Sequence, residues 1–83
     1  MTARQEQALV ALYEARAFGY DSRKSVRLLV ERGYLPDSRY AGPLAALGDR
    51  GLVENRHELV KNNWRATDWW LTDEGRAAAH ALW

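Results

Sequence analysis

Two short signatures constrain the fold of this chain more than anything else in it. Leu44, Leu47, Gly51, Leu52 and Val53 form the first, and Trp69-Trp70-Leu71-Thr72-Asp73-Glu74-Gly75-Arg76 the second. The first reads as the last turns of a helix passing through a glycine into a strand, since Leu44 and Leu47 stand at helical spacing and glycine commonly ends a helix in left-handed backbone. The second reads as a strand passing into a helix, with Thr72 as the cap and Asp73 and Glu74 at the positive end of the helix dipole. Between the signatures, residues 52–72 suit a two-stranded ribbon with Lys61-Asn62-Asn63 at its tip, because asparagine tolerates the backbone conformations that tight turns require. Alternation puts Trp69 and Leu71 on one face of the second strand and Trp70 on the other.

Upstream lie two further helical patterns. Thr2 followed three residues later by Gln5 is a capping box, and Leu9, Leu12 and Tyr13 then recur at helical spacing until Gly19 supplies a stop. This predicts a first helix over residues 3–18. Asp21 or Ser22 can cap a second helix over residues 22–32, with Val26, Leu29 and Val30 as its buried stripe and Gly33 as its end. Tyr34-Leu35-Pro36 forms the following turn, since proline disfavours helix in the residue before it, and Asp37 or Ser38 can cap a third helix over residues 38–50. Pro43 falls inside that segment, where a proline beyond the first turn costs ~3 kcal/mol. Either the helix proper starts near Pro43, with 38–41 as a separate turn, or it runs from Ser38 with a kink. The preference of proline for the first helical position favours the former. A last helix over residues 73–82 is completed by Ala77, Ala78, Ala79 and Leu82.

The expected class is therefore mainly α with a small β-hairpin, in the order α-α-α-β-β-α, as a single domain of 83 residues. A chain of this length is close to the lower limit for a self-sufficient core, so a partner that buries more surface is worth considering. With no cysteine there is neither a disulfide framework nor a thiolate metal site, and the two histidines, His57 and His80, are too few and too far apart to suggest a metal. No cofactor and no small-molecule ligand are expected. No apolar run is long enough to span a membrane, and the N-terminus has no signal-peptide pattern, so the expected location is cytoplasmic. Formal charge is +1, which by itself gives no support to a nucleic-acid partner. From Asp21 to Arg65, however, nine basic residues stand against six acidic ones.

The pattern Leu44-x-x-Leu47-x-x-x-Gly51-Leu52-Val53 followed by Leu71-Thr72-x-x-Gly75 resembles the recognition-helix end and the wing-to-helix junction of winged helix-turn-helix regulators of the MarR and PadR type. The resemblance covers roughly residues 22–76. It implies a winged helix-turn-helix fold, duplex DNA as partner, and a role in bacterial or phage transcription regulation.

Under that resemblance three groups of residues are expected at DNA. Arg23, Lys24 and Arg27 begin the helix that crosses the DNA backbone, where cations pair with phosphates and release counterions. Ser38, Arg39 and Tyr40 open the recognition segment, whose N-terminal residues reach base edges, and arginine can pair bidentately with guanine. Lys61, Asn62, Asn63 and Arg65 at the wing tip suit minor-groove or phosphate contact. For Tyr40 a core position is the rival reading. Trp69 reads as core, whereas Trp64, Trp70 and Trp83 exceed what so small a core can easily hold and are candidates for a partner interface, with a homodimer the simplest case. The competing function is a winged-helix module that binds another protein, favoured by the near-neutral charge, the Gly42-Pro43 interruption and the surplus tryptophans. No enzymatic activity is expected, for no nucleophile adjoins a histidine and no phosphate-cradling glycine loop is present.

Overall fold

In a computed structural model of the protein, the backbone is described for residues 1–17, 26–60 and 63–83, and the side chains of these except 17, 56–60 and 63–68. The element order is α1 (Ala3–Ala17), α2 (Val26–Glu31), α3 (Ala41–Asp49), β1 (Val53–Val60), β2 (Asn63–Leu71) and α4 (Asp73–Leu82). The fold is thus mainly helical with one two-stranded antiparallel sheet. Gly19 and the candidate caps Asp21 and Ser22 lie outside the described residues.

The start of α1 forms as its sequence dictates. The Gln5 backbone N–H donates to Thr2 Oγ1 (3.1 Å) while the Thr2 N–H donates to Gln5 Oε1 (3.2 Å), so two donors that a helix start leaves orphaned satisfy each other's residues. Ala8, Leu9, Ala11, Leu12 and Ala15 form the inward face of α1, and they meet Leu29 of α2, Leu44 and Leu47 of α3, Val53 of β1, Trp69 of β2 and Ala79 of α4 in one core. Leu9, Leu29, Leu44 and Leu47 are the largest side chains removed fully from water, each contributing roughly 1.5–3 kcal/mol through burial. Val26 and Val30 are only partly covered and pack on the rim of that core.

Glycine ends α2 and α3 by the same geometry. At Gly33 (φ +79°) the chain turns left-handed, with Tyr34 N–H donating to the Leu29 carbonyl and Gly33 N–H to the Val30 carbonyl. At Gly51 (φ +74°) the equivalent bonds run from Leu52 N–H to Leu47 and from Gly51 N–H to Gly48. Both are Schellman closures, which satisfy the last helical carbonyls and need a residue without a Cβ at the left-handed position.

α3 begins later than the capping pattern around Ser38 suggests. The Asp37 carboxylate accepts from the Arg39 N–H (2.8 Å) in a local turn, so it is unavailable to a helix, and the first turn of α3 opens at Ala41 with Tyr40 as an N-cap that makes no side-chain capping bond. Pro43 is then the third helical residue. Its missing N–H belongs to the set a helix start leaves orphaned in any case, so the residue terminates nothing and bends nothing.

The two sequence signatures meet in space and form a single joint. Thr72 Oγ1 accepts from the Gly75 N–H (3.0 Å), capping α4, and donates to the Gly51 carbonyl (2.7 Å), while the Thr72 N–H donates to the Leu52 carbonyl (3.2 Å). Gly75 lies so close to Leu52 that a Cβ built on it would stand 1.8 Å from the Leu52 oxygen. The end of α3, the start of β1, the end of β2 and the start of α4 are thereby clamped together. The ribbon leaves this joint with Val53 paired to Leu71, Glu54 to Trp70, Asn55 to Trp69 and Arg56 to Asp68. Its register then shifts by one residue before Glu58 pairs with Arg65, and it closes on Val60 and Asn63. Asn63 is therefore the first paired residue of β2 instead of part of the tip.

Candidate functional site

Of the residues that the sequence marks for contact with a partner, Ser38 and Arg39 stand in the most defined position. Both are exposed, in the turn that the Asp37 carboxylate holds immediately ahead of α3. The first turn of α3 contains no acidic residue, and the side chain of Arg39 has no ionic partner among the described residues. The N–H groups that open a helix carry partial positive charge, and here no side chain caps them.

Tyr40 takes the core position that competes with base contact. It is 3% exposed, its hydroxyl donates to Gln7 Oε1 on α1, and its ring belongs to the central core. A ring so covered cannot reach a base edge, so the expected base contact at Tyr40 is corrected to a structural tie between α1 and the start of α3. Above the ring lies Arg4, with its guanidinium carbon 5.9 Å from the ring centroid. No pattern in the sequence links Arg4 to the segment 38–40, because the two meet only through the packing of α1 on α3.

The outward face of α3 is unexpectedly plain. Leu44 and Leu47 point into the core, and the exposed positions are Ala41, Gly42, Ala45 and Asp49. None of the first three carries a hydrogen-bonding group that could read a base edge. The exposed hydrogen-bonding side chains nearest the opening of α3 are those of Ser38 and Arg39 in the turn ahead of it.

Arg27 is exposed on α2 and forms an i, i+4 ion pair with Glu31 at 3.0 Å. Exposed pairs of this type contribute only ~0.3–0.5 kcal/mol, so a phosphate can replace the carboxylate at little cost. Arg23, Lys24, Lys61 and Asn62 lie outside the described residues, and Asn63, Trp64 and Arg65 are described only as backbone within β2. The structure brings Ser38 and Arg39 together at the opening of α3, with Arg27 on the preceding helix.

The tryptophans divide. Trp69 is 6% exposed and lies in the core, and Trp70 is half-buried on the opposite side of β2. Trp83 is 62% exposed yet anchored to its own chain: its indole N–H donates to Glu14 Oε1 (3.0 Å), and its ring lies 5.4 Å from that of Tyr13. Tyr13 in turn shares a 2.8 Å hydrogen bond with His80 Nδ1. This aromatic group fastens the end of α4 to α1, and sequence reasoning missed it because the partners are separated by almost the whole chain. His80 is thus engaged in a structural contact. Among the described residues no group of three or more histidine or carboxylate side chains could hold a metal ion. No helix is long and apolar enough to cross a membrane, among the same residues.

The chain was compared with protein-family models, with curated proteins and with solved structures, and it matches none of them.

Proposed function

We propose that this chain is a winged-helix protein that binds duplex DNA through the turn at Ser38 and Arg39, the opening of α3 and the β1–β2 ribbon, and acts in bacterial or phage transcription regulation. The observation that carries the reading is the exposed Arg39, with no ionic partner among the described residues, ahead of a helix whose first turn holds neither an acidic residue nor a side-chain cap. Backbone N–H groups and dipole at such an end favour a phosphate, and an arginine beside it can take either a phosphate or the O6 and N7 of guanine. The clamped joint supports the same reading, since it fixes where the ribbon departs relative to α3. Arg27 on α2, with a pair weak enough to exchange, suits a flanking phosphate.

Because α3 presents alanine and glycine outward, the base preference of this protein rests on few side chains, with Arg39 foremost. A selection of duplexes from a random-sequence pool tests this. The wild type is expected to enrich a site containing guanine, and Arg39→Ala to lose the preference while keeping weak, salt-sensitive binding to all sequences. Equal enrichment by Arg39→Ala would refute the assignment.

A second reading has one observation in its favour. The same small outward face of α3 allows another protein's backbone to approach closely, so a winged-helix module docking on a protein partner is the alternative. In that case no duplex would be enriched at all. A homodimer, through α1 and α4, is compatible with either reading, with the exposed Leu82 and Trp83 at its edge.

A further inference from the structure

We infer that Arg4 is a phosphate-binding residue of this same face, supplied by α1 and held ready by Tyr40. The inference rests on the DNA-binding reading and extends it to α1, which the sequence does not mark for DNA contact.

Arg4 is exposed and lies in the first turns of α1, with its guanidinium over the ring of Tyr40. Tyr40 is the N-cap residue of α3 and the direct neighbour of Arg39, so Arg4 stands at the opening of α3 although it is 35 positions away from Arg39 in the chain. The ring itself cannot swing away, being buried and tied by its hydroxyl to Gln7, one turn further along α1 from Arg4.

The position of Arg4 over the ring matters chemically. A guanidinium held over an aromatic ring is attracted by the ring's quadrupole, and that attraction uses none of its five N–H donors. Arg4 has no carboxylate partner among the described residues. Its donors are therefore free to take two oxygens of one oxyanion in the forked geometry that arginine favours. The attraction to the ring also favours side-chain conformations that keep the guanidinium near Tyr40, which lessens the rotamer freedom lost on binding. Lysine in the same position would keep the charge and the attraction to the ring but lose the fork. The ligand is a backbone phosphate and not a base, because Arg4 reaches the site from α1, outside α3 and its leading turn, and phosphate contacts of this kind set the register of a protein on its duplex.

The test is a salt titration of duplex binding by the full chain, with wild type, Arg4→Gln, Arg4→Lys and Arg39→Ala measured on one duplex, together with the thermal midpoint of each. Losing one phosphate contact reduces the slope of log K against log salt by about 0.9. Arg4→Gln is expected to show that reduction and a several-fold weaker affinity, with Arg4→Lys keeping most of the slope but less of the affinity. A purely structural role for Arg4 would lower the midpoint of Arg4→Gln and leave the slope at the wild-type value, which would overturn the inference while leaving the DNA-binding reading intact. Failure of the wild type to bind any duplex at low salt would overturn both.

Discussion

Replacing Gly75 by alanine should destabilise this protein, although the same change within a helix ordinarily stabilises. Alanine exceeds glycine in helix propensity by up to ~1 kcal/mol, and a surface helix normally collects that gain. At Gly75 the new methyl group would stand 1.8 Å from the Leu52 carbonyl oxygen and 2.8 Å from its carbon. Both are backbone atoms, the oxygen already accepting from the Thr72 N–H, and cannot rotate aside as a side chain would, so α4 must move away. That movement stretches the Thr72 N–H bond to Leu52 and the Thr72 hydroxyl bond to Gly51, at a net ~1 kcal/mol each. Misfit between the helix and the core, where Ala79 is fully buried, adds roughly 1–3 kcal/mol. After subtracting the propensity gain, the loss is about 2–4 kcal/mol, which lowers the thermal midpoint of a domain this size by roughly 10–25 °C. Circular dichroism melting of Gly75→Ala beside Ala77→Gly, at an exposed position of the same helix, measures it. The control should lose only ~1 kcal/mol. A midpoint for Gly75→Ala equal to or above wild type would refute the close approach of α4 to Leu52.

Three further outcomes follow from the same contacts. Thr72→Val keeps the shape but removes both the cap of α4 and the bond to Gly51, and urea unfolding should show a loss of ~1–2 kcal/mol. Gly51→Ala places a Cβ on a left-handed residue and should cost ~1–2 kcal/mol in the same assay, with Gly51→Asn milder because asparagine tolerates that conformation. Tyr40→Phe removes the hydroxyl bond to Gln7 and should lower stability by ~0.5–1.5 kcal/mol, while duplex affinity stays within about twofold because the ring only supports the site. A large affinity loss in Tyr40→Phe without a stability change would return Tyr40 to the contact surface.

What could be read in the sequence was local. The capping box at Thr2 and Gln5, the glycine closures at Gly33 and Gly51, and the threonine cap at Thr72 all depend on residues within a few positions of each other, and each formed as those residues require. The start of α3 was harder, because Asp37, Ser38 and Pro43 are each compatible with two arrangements, and the commitment of Asp37 to the Arg39 N–H decides between them. The reason for glycine at 75 was not legible, since the clash partner, Leu52, belongs to another element. The same holds for Gln7 and Arg4 at Tyr40, and for Glu14, Tyr13 and His80 around Trp83, all contacts between segments far apart in the chain. The register shift between Arg56 and Glu58 carries no glycine or proline to announce it. The plain outward face of α3 was present in the letters, but only the direction of Leu44 and Leu47 into the core shows that Ala41, Gly42 and Ala45 are what a partner meets.

The most direct test of DNA binding is fluorescence anisotropy of a labelled duplex of arbitrary sequence, titrated with the protein at low and at physiological salt. Binding at micromolar concentration or tighter in low salt, falling steeply as salt rises, is the expected result for a face built around Arg39 and Arg27. No change in anisotropy at low salt would contradict DNA binding and move the function to a protein partner docked on the small face of α3.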